Sequence, residues 1–293
     1  MKDVYVLVSR PNPQWQKLKE EYADKINVLF LMRNELEKPV KGIEYLITTG
    51  VSEQELANLP DLKCIYAPKT GTDTFPLKQM EERGIRITIS HANAFYVAEH
   101  GVALAMCMLR NLYGINARIR KGEETKSAIG MRSLQNMNIG IMGYGHIGAA
   151  IAELLKPYDV NIAVYTLGHI DGVRNCATPK ELFACSDLVF NCLPLFESTR
   201  NLIGYEELSL LKDRWLVNVS RAEIIQEEAL YRALSENILA GYAADVWYQE
   251  NWRYGKHNYD EFDNVIITPH CAANVADGRR RYMVDALTSA INE

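Results

Sequence analysis

Three glycines spaced G-x-G-x-x-G stand at the centre of the chain: Gly143, Gly145 and Gly148, within GIMGYGHIG. At a strand-to-helix turn this spacing cradles the pyrophosphate of a dinucleotide. The first glycine permits the tight turn, the second lets the backbone approach the phosphates, and the third lets the helix pack closely on the strand. Residues 138–142 read as the strand and 147–156 as the helix, with Pro157 just beyond. The amides of Gly145, His146 and Ile147 would then face the pyrophosphate at the helix N-terminus. Without those flanks the triplet would be no more than an ordinary turn.

The tip of the next strand bears on which dinucleotide is bound. An NAD loop normally places Asp or Glu there, about 20 residues on, to hold the ribose 2′-hydroxyl. Here residues 161–165 are followed by Thr166-Leu167-Gly168-His169, with no carboxylate; Asp159 comes before the strand and Asp171 well after it. Without a carboxylate a 2′-phosphate meets no repulsion. Thr166 can donate a hydrogen bond, and His169 or Arg174 can supply positive charge. The balance leans to NADP, the alternative being an NAD site that lacks the acidic clamp.

These residues need a scaffold, and the hydrophobic pattern describes one. Short apolar runs at 4–8, 28–31, 45–48, 64–66 and 86–89 alternate with amphipathic stretches at 14–22, 53–57 and 77–82. That alternation implies a parallel sheet covered on both faces. A helical pattern runs from about 97 to about 120, followed by a polar patch at 121–126. A second alternation then places strands at 138–142, 161–165, 188–192, 215–219, 241–246 and 265–267. Six strands suffice for a dinucleotide-binding sheet. One helix, about 277–291, is left over. The glycine loop is therefore central because a complete α/β unit precedes it.

Composition excludes several classes. The net charge is -5 and the one basic cluster, Arg279-Arg280-Arg281, reads as a solvated helix face, so nucleic acid is not an expected partner. The longest apolar run, near 102–109, falls far short of the roughly 20 residues a bilayer needs, so no membrane span is expected. The N-terminus reads as a β-strand and lacks the apolar stretch of a signal peptide. Six cysteines without a C-x-x-C pair read as reduced thiols of a cytoplasmic protein, and no metal site is expected.

Six stretches, in order, resemble the D-isomer-specific 2-hydroxyacid dehydrogenases: LPDLKCIYAPKTGTD (59–73), VAEH (97–100), CLPLFESTRNLI (192–203), WLVNVSRAEIIQEEAL (215–230), AGYAADVWYQE (240–250) and TPHCA (268–272). The resemblance spans nearly the whole chain. It implies an α/β fold of two Rossmann- or flavodoxin-like lobes with parallel sheets and an active-site cleft between them. Residues 1–93 plus 271–293 would form a discontinuous substrate-binding domain, and 94–270 the NAD(P)-binding domain. It also implies a homodimer and a small 2-oxo or 2-hydroxy acid as substrate.

By the same resemblance the catalytic set is Arg221, Glu250 and His270. Physical chemistry supports each. Reducing a 2-oxo acid needs a hydride at carbon, a proton at oxygen and a cation for the carboxylate. Arg221 follows a strand end, and its planar guanidinium can hold a carboxylate and polarise the neighbouring carbonyl. His270, after another strand end, can give a proton to the developing alkoxide or take it back. Glu250 hydrogen-bonded to His270 would orient the ring and raise its pKa. Asp245 resembles the residue that faces the nicotinamide carboxamide, Leu193 and Val219 stand where backbone lines the cofactor, and Thr70 and Gly71 match the loop whose amides receive the substrate carboxylate.

The departures are Asn251 for the usual Pro after Glu250, an aromatic loop at 247–259, Ala222 for the usual Gly after Arg221, His91 for Pro, and Lys69 at a position where a small residue is common. Lys69 would either favour a dianionic or phosphorylated acid or point to solvent. The expected activity is reduction of glyoxylate, hydroxypyruvate or a related 2-oxo acid. The alternatives are phosphoglycerate dehydrogenase and a cofactor-sensing, corepressor-like interaction protein. Formate oxidation is disfavoured, because the formate enzymes pair the histidine with Gln rather than Glu.

Overall fold

The computed structural model describes residues 1–123, 131–249, 256–276 and 278–293. The chain divides into two compact units, Met1–Asn93 with Asn274–Glu293, and Ala94–Ala273.

The first unit runs β1 (Asp3–Val8), α1 (Pro13–Glu21), β2 (Asn27–Met32), β3 (Tyr45–Ile47), α2 (Glu53–Ala57), β4 (Cys64–Ala67), α3 (Leu77–Glu82) and β5 (Arg86–Ile89). The strands pair in parallel in the order β2-β1-β3-β4-β5, the flavodoxin-like arrangement. The period-two alternation sorts the side chains into two cores. Val4, Val6, Cys64 and Tyr66 share one core with Trp15 and Leu18 of α1, while Leu7, Ile65 and Ala67 share the other with Leu56 of α2 and Met80 of α3.

The second unit runs α4 (Ala94–Leu109), α5 (Leu112–Arg120), β6 (Asn138–Met142), α6 (His146–Leu155), β7 (Asn161–Tyr165), β8 (Arg174–Asn175), α7 (Pro179–Cys185), β9 (Leu188–Asn191), α8 (Tyr205–Ser209), β10 (Trp215–Asn218), α9 (Glu227–Ser235), β11 (Gly241–Ala244) and β12 (Val265–Ile267). Its parallel sheet has the order β12-β11-β10-β9-β6-β7-β8. Connections leave β6 toward β7 and then return to its other side at β9. The carboxyl ends of β6 and β9 therefore form a topological switch point, where open α/β sheets bind ligands. Helices α4 and α6 cover one face through Leu104, Ala105, Ile151 and Leu155; α7 and α9 cover the other through Leu182, Phe183, Leu230 and Ala233.

The last helix, α10 (Gly278–Asn292), completes the first unit: Met283, Ala286, Leu287 and Ala290 pack with Val4, Cys64 and Tyr66. Without it α1 alone would cover that face of the first sheet, which is the physical reason the unit is discontinuous. Residues 279–281 lie exposed on α10, and Arg280 pairs with Glu21 at 2.6 Å.

Three details differ from the sequence expectations. The helix expected over 97–120 is two helices, because Asn111 turns left-handed (φ 44°) between α4 and α5. The second sheet has a seventh strand, β8, only two residues long. The boundary lies at 273/274 rather than 270/271, because the amides of Cys271 and Ala272 are bonded to Asp245 of the second unit.

Candidate active site

The glycine loop has the geometry its spacing implies. Gly143 has φ +86°, and a Cβ there would come within 2.9 Å of the Cys192 carbonyl and the Leu193 amide. Only glycine therefore lets the end of β6 lie against the end of β9. A Cβ on Gly148 would lie 2.2 Å from the Gly143 carbonyl oxygen, so this glycine sets the closeness of α6 to the turn. A Cβ on Gly145 would meet nothing within 4 Å. Open space thus lies over the start of α6, whose N-terminus has no side-chain cap and whose first residue, His146, is exposed; Ile147 is half-buried. Uncapped first-turn amides beside a side-chain-free gap suit a pyrophosphate, so these residues fit a dinucleotide.

Thr166, just past β7, is tied to this loop: its hydroxyl accepts the Tyr144 amide at 3.2 Å. His169 lies on the surface 3.4 Å from Asp171, and Arg174 is exposed on β8, the edge strand beside β7.

Two buried asparagines organise the next two strand ends. Asn191 and Asn218 are register partners on β9 and β10, and both are fully buried. Asn191 donates its amide to the Asn218 side-chain oxygen at 3.1 Å and accepts the Leu193 amide at 3.3 Å. Asn218 in turn accepts the Ser220 amide and donates to the Arg221 carbonyl, both at 3.1 Å. Ser220 donates its hydroxyl to the Leu193 carbonyl. Buried polar groups of this kind are costly unless satisfied, and here they are satisfied by fixing the backbone of Leu193, Ser220 and Arg221. Val219 is buried, and Gly101 of α4 lies against it, where a Cβ would come within 3.3 Å of Val219 Cγ1.

Arg221 itself is half-buried, with Nη1 donating to the Ser220 carbonyl at 2.8 Å. Ala222 after it is 1% exposed and opens a short 3-10 turn at ordinary negative φ. The turn therefore has no need of the glycine usual at that position.

Asp245 follows β11 and is 2% exposed. Its Oδ1 accepts the Thr268 hydroxyl at 2.6 Å and the Cys271 amide at 2.9 Å, and its Oδ2 accepts the Ala272 amide at 2.8 Å. His270, between these donors, is exposed and left-handed (φ 54°), a conformation costing an L-residue roughly 1–2 kcal/mol. His100 of α4 reaches Thr268 Oγ1 at 3.1 Å and Asp245 Oδ1 at 3.7 Å. Burial, and then the charge of Asp245, push the Cys271 thiol up. His100, Asp245 and Cys271 would also make a metal-ligand set by residue type. However, the carboxylate already accepts from three protein donors, the Thr268 hydroxyl and the amides of Cys271 and Ala272.

Glu250, the expected partner of His270, lies outside the described residues, as does the segment 251–255 of the aromatic loop. In the first unit, Thr70 follows β4 and donates its hydroxyl toward the Ser90 carbonyl (3.0 Å) and Asn93 Oδ1 (2.5 Å), which fixes the loop. Gly71 is half-buried beside it. Lys69 does not simply point to solvent: its Nζ donates to Thr74 Oγ1 at 2.8 Å.

Residues 102–272 match the model of the D-isomer specific 2-hydroxyacid dehydrogenase NAD binding domain. The chain belongs to this family. It is an NAD(P)-dependent D-2-hydroxyacid dehydrogenase, transferring hydride between NAD(P)H and a 2-oxo or 2-hydroxy acid. A glyoxylate reductase of Thermofilum pendens is 29% identical over 295 residues, 96% of this chain and 83% of that protein. A glycerate dehydrogenase of Methylorubrum extorquens is 30% identical over 226 residues, 74% and 71% of the two chains. The crystal structure of a Pyrococcus horikoshii OT3 protein superposes with a TM-score of 0.86 at 27% identity, covering 100% of this chain and 92% of that one.

Five residues that tie these strand ends together were not singled out from the sequence: Asn191, Asn218, Ser220, Thr268 and His100. Each acts on a neighbour's backbone or on Asp245. Their one available signal was position, a polar residue at the end of an otherwise apolar strand (Asn191, Asn218) or inside a family motif (Ser220, Thr268, His100).

Proposed function

We propose that this dehydrogenase reduces small 2-oxo acids such as glyoxylate or hydroxypyruvate to the D-2-hydroxy acids, using Arg221, His270 and Glu250, and prefers NADPH. The observation that carries this is the order of strand ends in one sheet. Neighbouring strands β6, β9, β10, β11 and β12 are followed by Gly143, Leu193, Arg221, Asp245 and His270. A dinucleotide cradle, a fixed guanidinium and an exposed imidazole thus succeed one another along one carboxyl edge.

Bound reduced nicotinamide supplies the hydride to the carbonyl carbon. Arg221 holds the substrate carboxylate and draws charge toward the carbonyl oxygen. His270 gives its proton to that oxygen as the C–O double bond opens, and takes it back in the oxidative direction. Glu250 is the carboxylate assigned to orient the imidazole. In the first unit, Thr70 and Gly71 belong to the loop whose amides would receive a substrate carboxylate, and Lys69 beside them donates to Thr74.

The NADPH preference is supported by the strand tip after β7. It carries Thr166 and no carboxylate, with Arg174 on the adjoining edge strand. Six free cysteines suit the reducing cytoplasm, and no described helix is long and apolar enough to cross a membrane. Leu112, Tyr113 and Ile119 on α5 are exposed, apolar side chains suited to a homodimer contact.

The test is steady-state oxidation of NADPH and NADH across glyoxylate, hydroxypyruvate, phosphohydroxypyruvate and pyruvate. Turnover of the first two, with higher kcat/KM for NADPH, is expected. A folded, cofactor-binding sample inactive on both would overturn the substrate assignment, and tenfold preference for NADH would overturn the cofactor assignment. Light scattering of the purified chain in solution should give twice the chain mass; a monomer would refute the dimer.

A further inference from the structure

We propose that Asp245, backed by Thr268 and His100, positions His270 by fixing the backbone on both sides of it. The inference rests on the reading of His270 as the acid–base group. It gives Asp245 a task different from gripping the cofactor.

The geometry is that of an anion in a nest of amides. A residue in the left-handed region turns the following N–H groups inward, so that consecutive amides converge on one point. His270 has φ 54°, and the amides of Cys271 and Ala272 converge on the two oxygens of Asp245 at 2.9 and 2.8 Å. On the other side of His270, Thr268 donates its hydroxyl to Oδ1 at 2.6 Å, and its amide donates to the Ala244 carbonyl at 3.0 Å. One buried carboxylate therefore binds residues 268, 271 and 272, and His270 lies between them. A histidine with a Cβ takes a left-handed backbone only where its surroundings impose it. The side chain remains exposed while its backbone is held.

Counting protons orients the rest of the chain of bonds. The Thr268 hydroxyl has one proton, and the short contact assigns it to Asp245 rather than to the Ala244 carbonyl at 3.4 Å. Toward His100 the Thr268 oxygen can then only accept, so the imidazole donates through Nε2–H at 3.1 Å. Both the Nε2–H neutral ring and the imidazolium satisfy this. His100 thus holds the Thr268 hydroxyl aimed at the carboxylate. The functional groups facing Asp245 are those of His100, Thr268 and Cys271, and burial, then the charge of Asp245, push the Cys271 thiol up.

Three variants test the idea: Asp245→Asn, Thr268→Val and Thr268→Ser. Each is measured for kcat with glyoxylate, for the Kd of NADPH by fluorescence titration, and for thermal stability. An amide at 245 presents one acceptor and one donor where two acceptors are required, and valine keeps the shape of threonine without its proton. A misplacement of the acid–base group by about 1 Å costs roughly 10²-fold in rate. Asp245→Asn is therefore expected to lower kcat by about that factor, and Thr268→Val by about tenfold, a smaller displacement on the same scale. In both the Kd of NADPH stays within about twofold, and Thr268→Ser restores kcat to within about threefold of the parent. A tenfold rise in Kd with kcat at saturating cofactor preserved would overturn the proposal and return Asp245 to the cofactor. So would Thr268→Val with parental kcat. Should Asp245→Asn fail to fold, the Thr268 pair decides alone. His270→Asn run alongside separates the two claims: if it is fully active, the acid–base reading has failed; if it is inactive while Thr268→Val is normal, only the positioning role has failed.

Discussion

Gly145→Ala separates folding from cofactor binding at the glycine loop. The residue caps α6 with φ -80° and ψ -160°, which alanine adopts without strain, and the added methyl meets no atom within 4 Å. Stability should hardly move. Gly→Ala at a compatible backbone gains about 0.4–1 kcal/mol through the unfolded chain, and alanine is a few tenths of a kcal/mol or more worse than glycine as an N-cap. These nearly cancel, so Tm should shift by no more than about 3 °C. Binding behaves differently, because the methyl occupies the gap over the first-turn amides. Losing one charge-assisted hydrogen bond to a phosphate costs about 1.5–3 kcal/mol, or roughly 10- to 100-fold in Kd. Gly148→Ala is the contrast. Its Cβ would sit 2.2 Å from a backbone carbonyl oxygen that cannot swing away, so α6 must move by about an ångström, and stability falls with affinity by about 1–3 kcal/mol. Fluorescence titration with NADPH and NADH, beside thermal melts, reads both quantities. Gly145→Ala with parental Kd for both nucleotides would refute the placement of the pyrophosphate.

Arg221→Gln should lower kcat/KM for glyoxylate by about 10²–10³ with the cofactor Kd unchanged; a kcat/KM within threefold of the parent would remove the guanidinium from the mechanism. Asn218→Ala should leave the Asn191 side-chain amide and the Ser220 amide without their acceptor, costing at least about 2 kcal/mol in denaturant unfolding. A cost below about 0.5 kcal/mol would show that the buried pair is not a clamp. Burial raises the pKa of Tyr66, Tyr242 and Tyr259 and pushes the Cys192 thiol, ordinarily at 9.0, up to about 12. All four are acids whose folded pKa exceeds the unfolded one. The stability they add is complete below about pH 9 and is lost as the pH rises beyond. Ionisation of these three tyrosines should therefore coincide with alkaline unfolding in an absorbance titration; reversible ionisation of all sixteen tyrosines without loss of the fold would contradict this.

The sheets were legible because parallel strands buried on both faces read as short apolar runs, and the glycine loop because its spacing carries a mechanism. The break at Asn111 was not, since the stretch around it keeps a helical pattern and one left-handed residue suffices to interrupt it. The two-residue β8 is too short to show any period. The work of Asn191, Asn218 and Asp245 was hidden for another reason. Asn191 meets Asn218, and Asp245 meets Ala272, each across 27 positions, and no residue spacing encodes such bonds. Arg221 and His270 could be proposed from the sequence because each stands in a short motif just past a strand end.

The most direct test of the account is a single-turnover reaction of the purified chain with glyoxylate's larger homologue hydroxypyruvate and NADPH carrying deuterium at the transferable position of the nicotinamide. The account predicts D-glycerate with one deuterium at C2, formed in step with NADPH oxidation and slowed by about 10²–10⁴ in His270→Asn. A folded, cofactor-bound protein that gives no deuterated product, or that gives the L-acid, would contradict it.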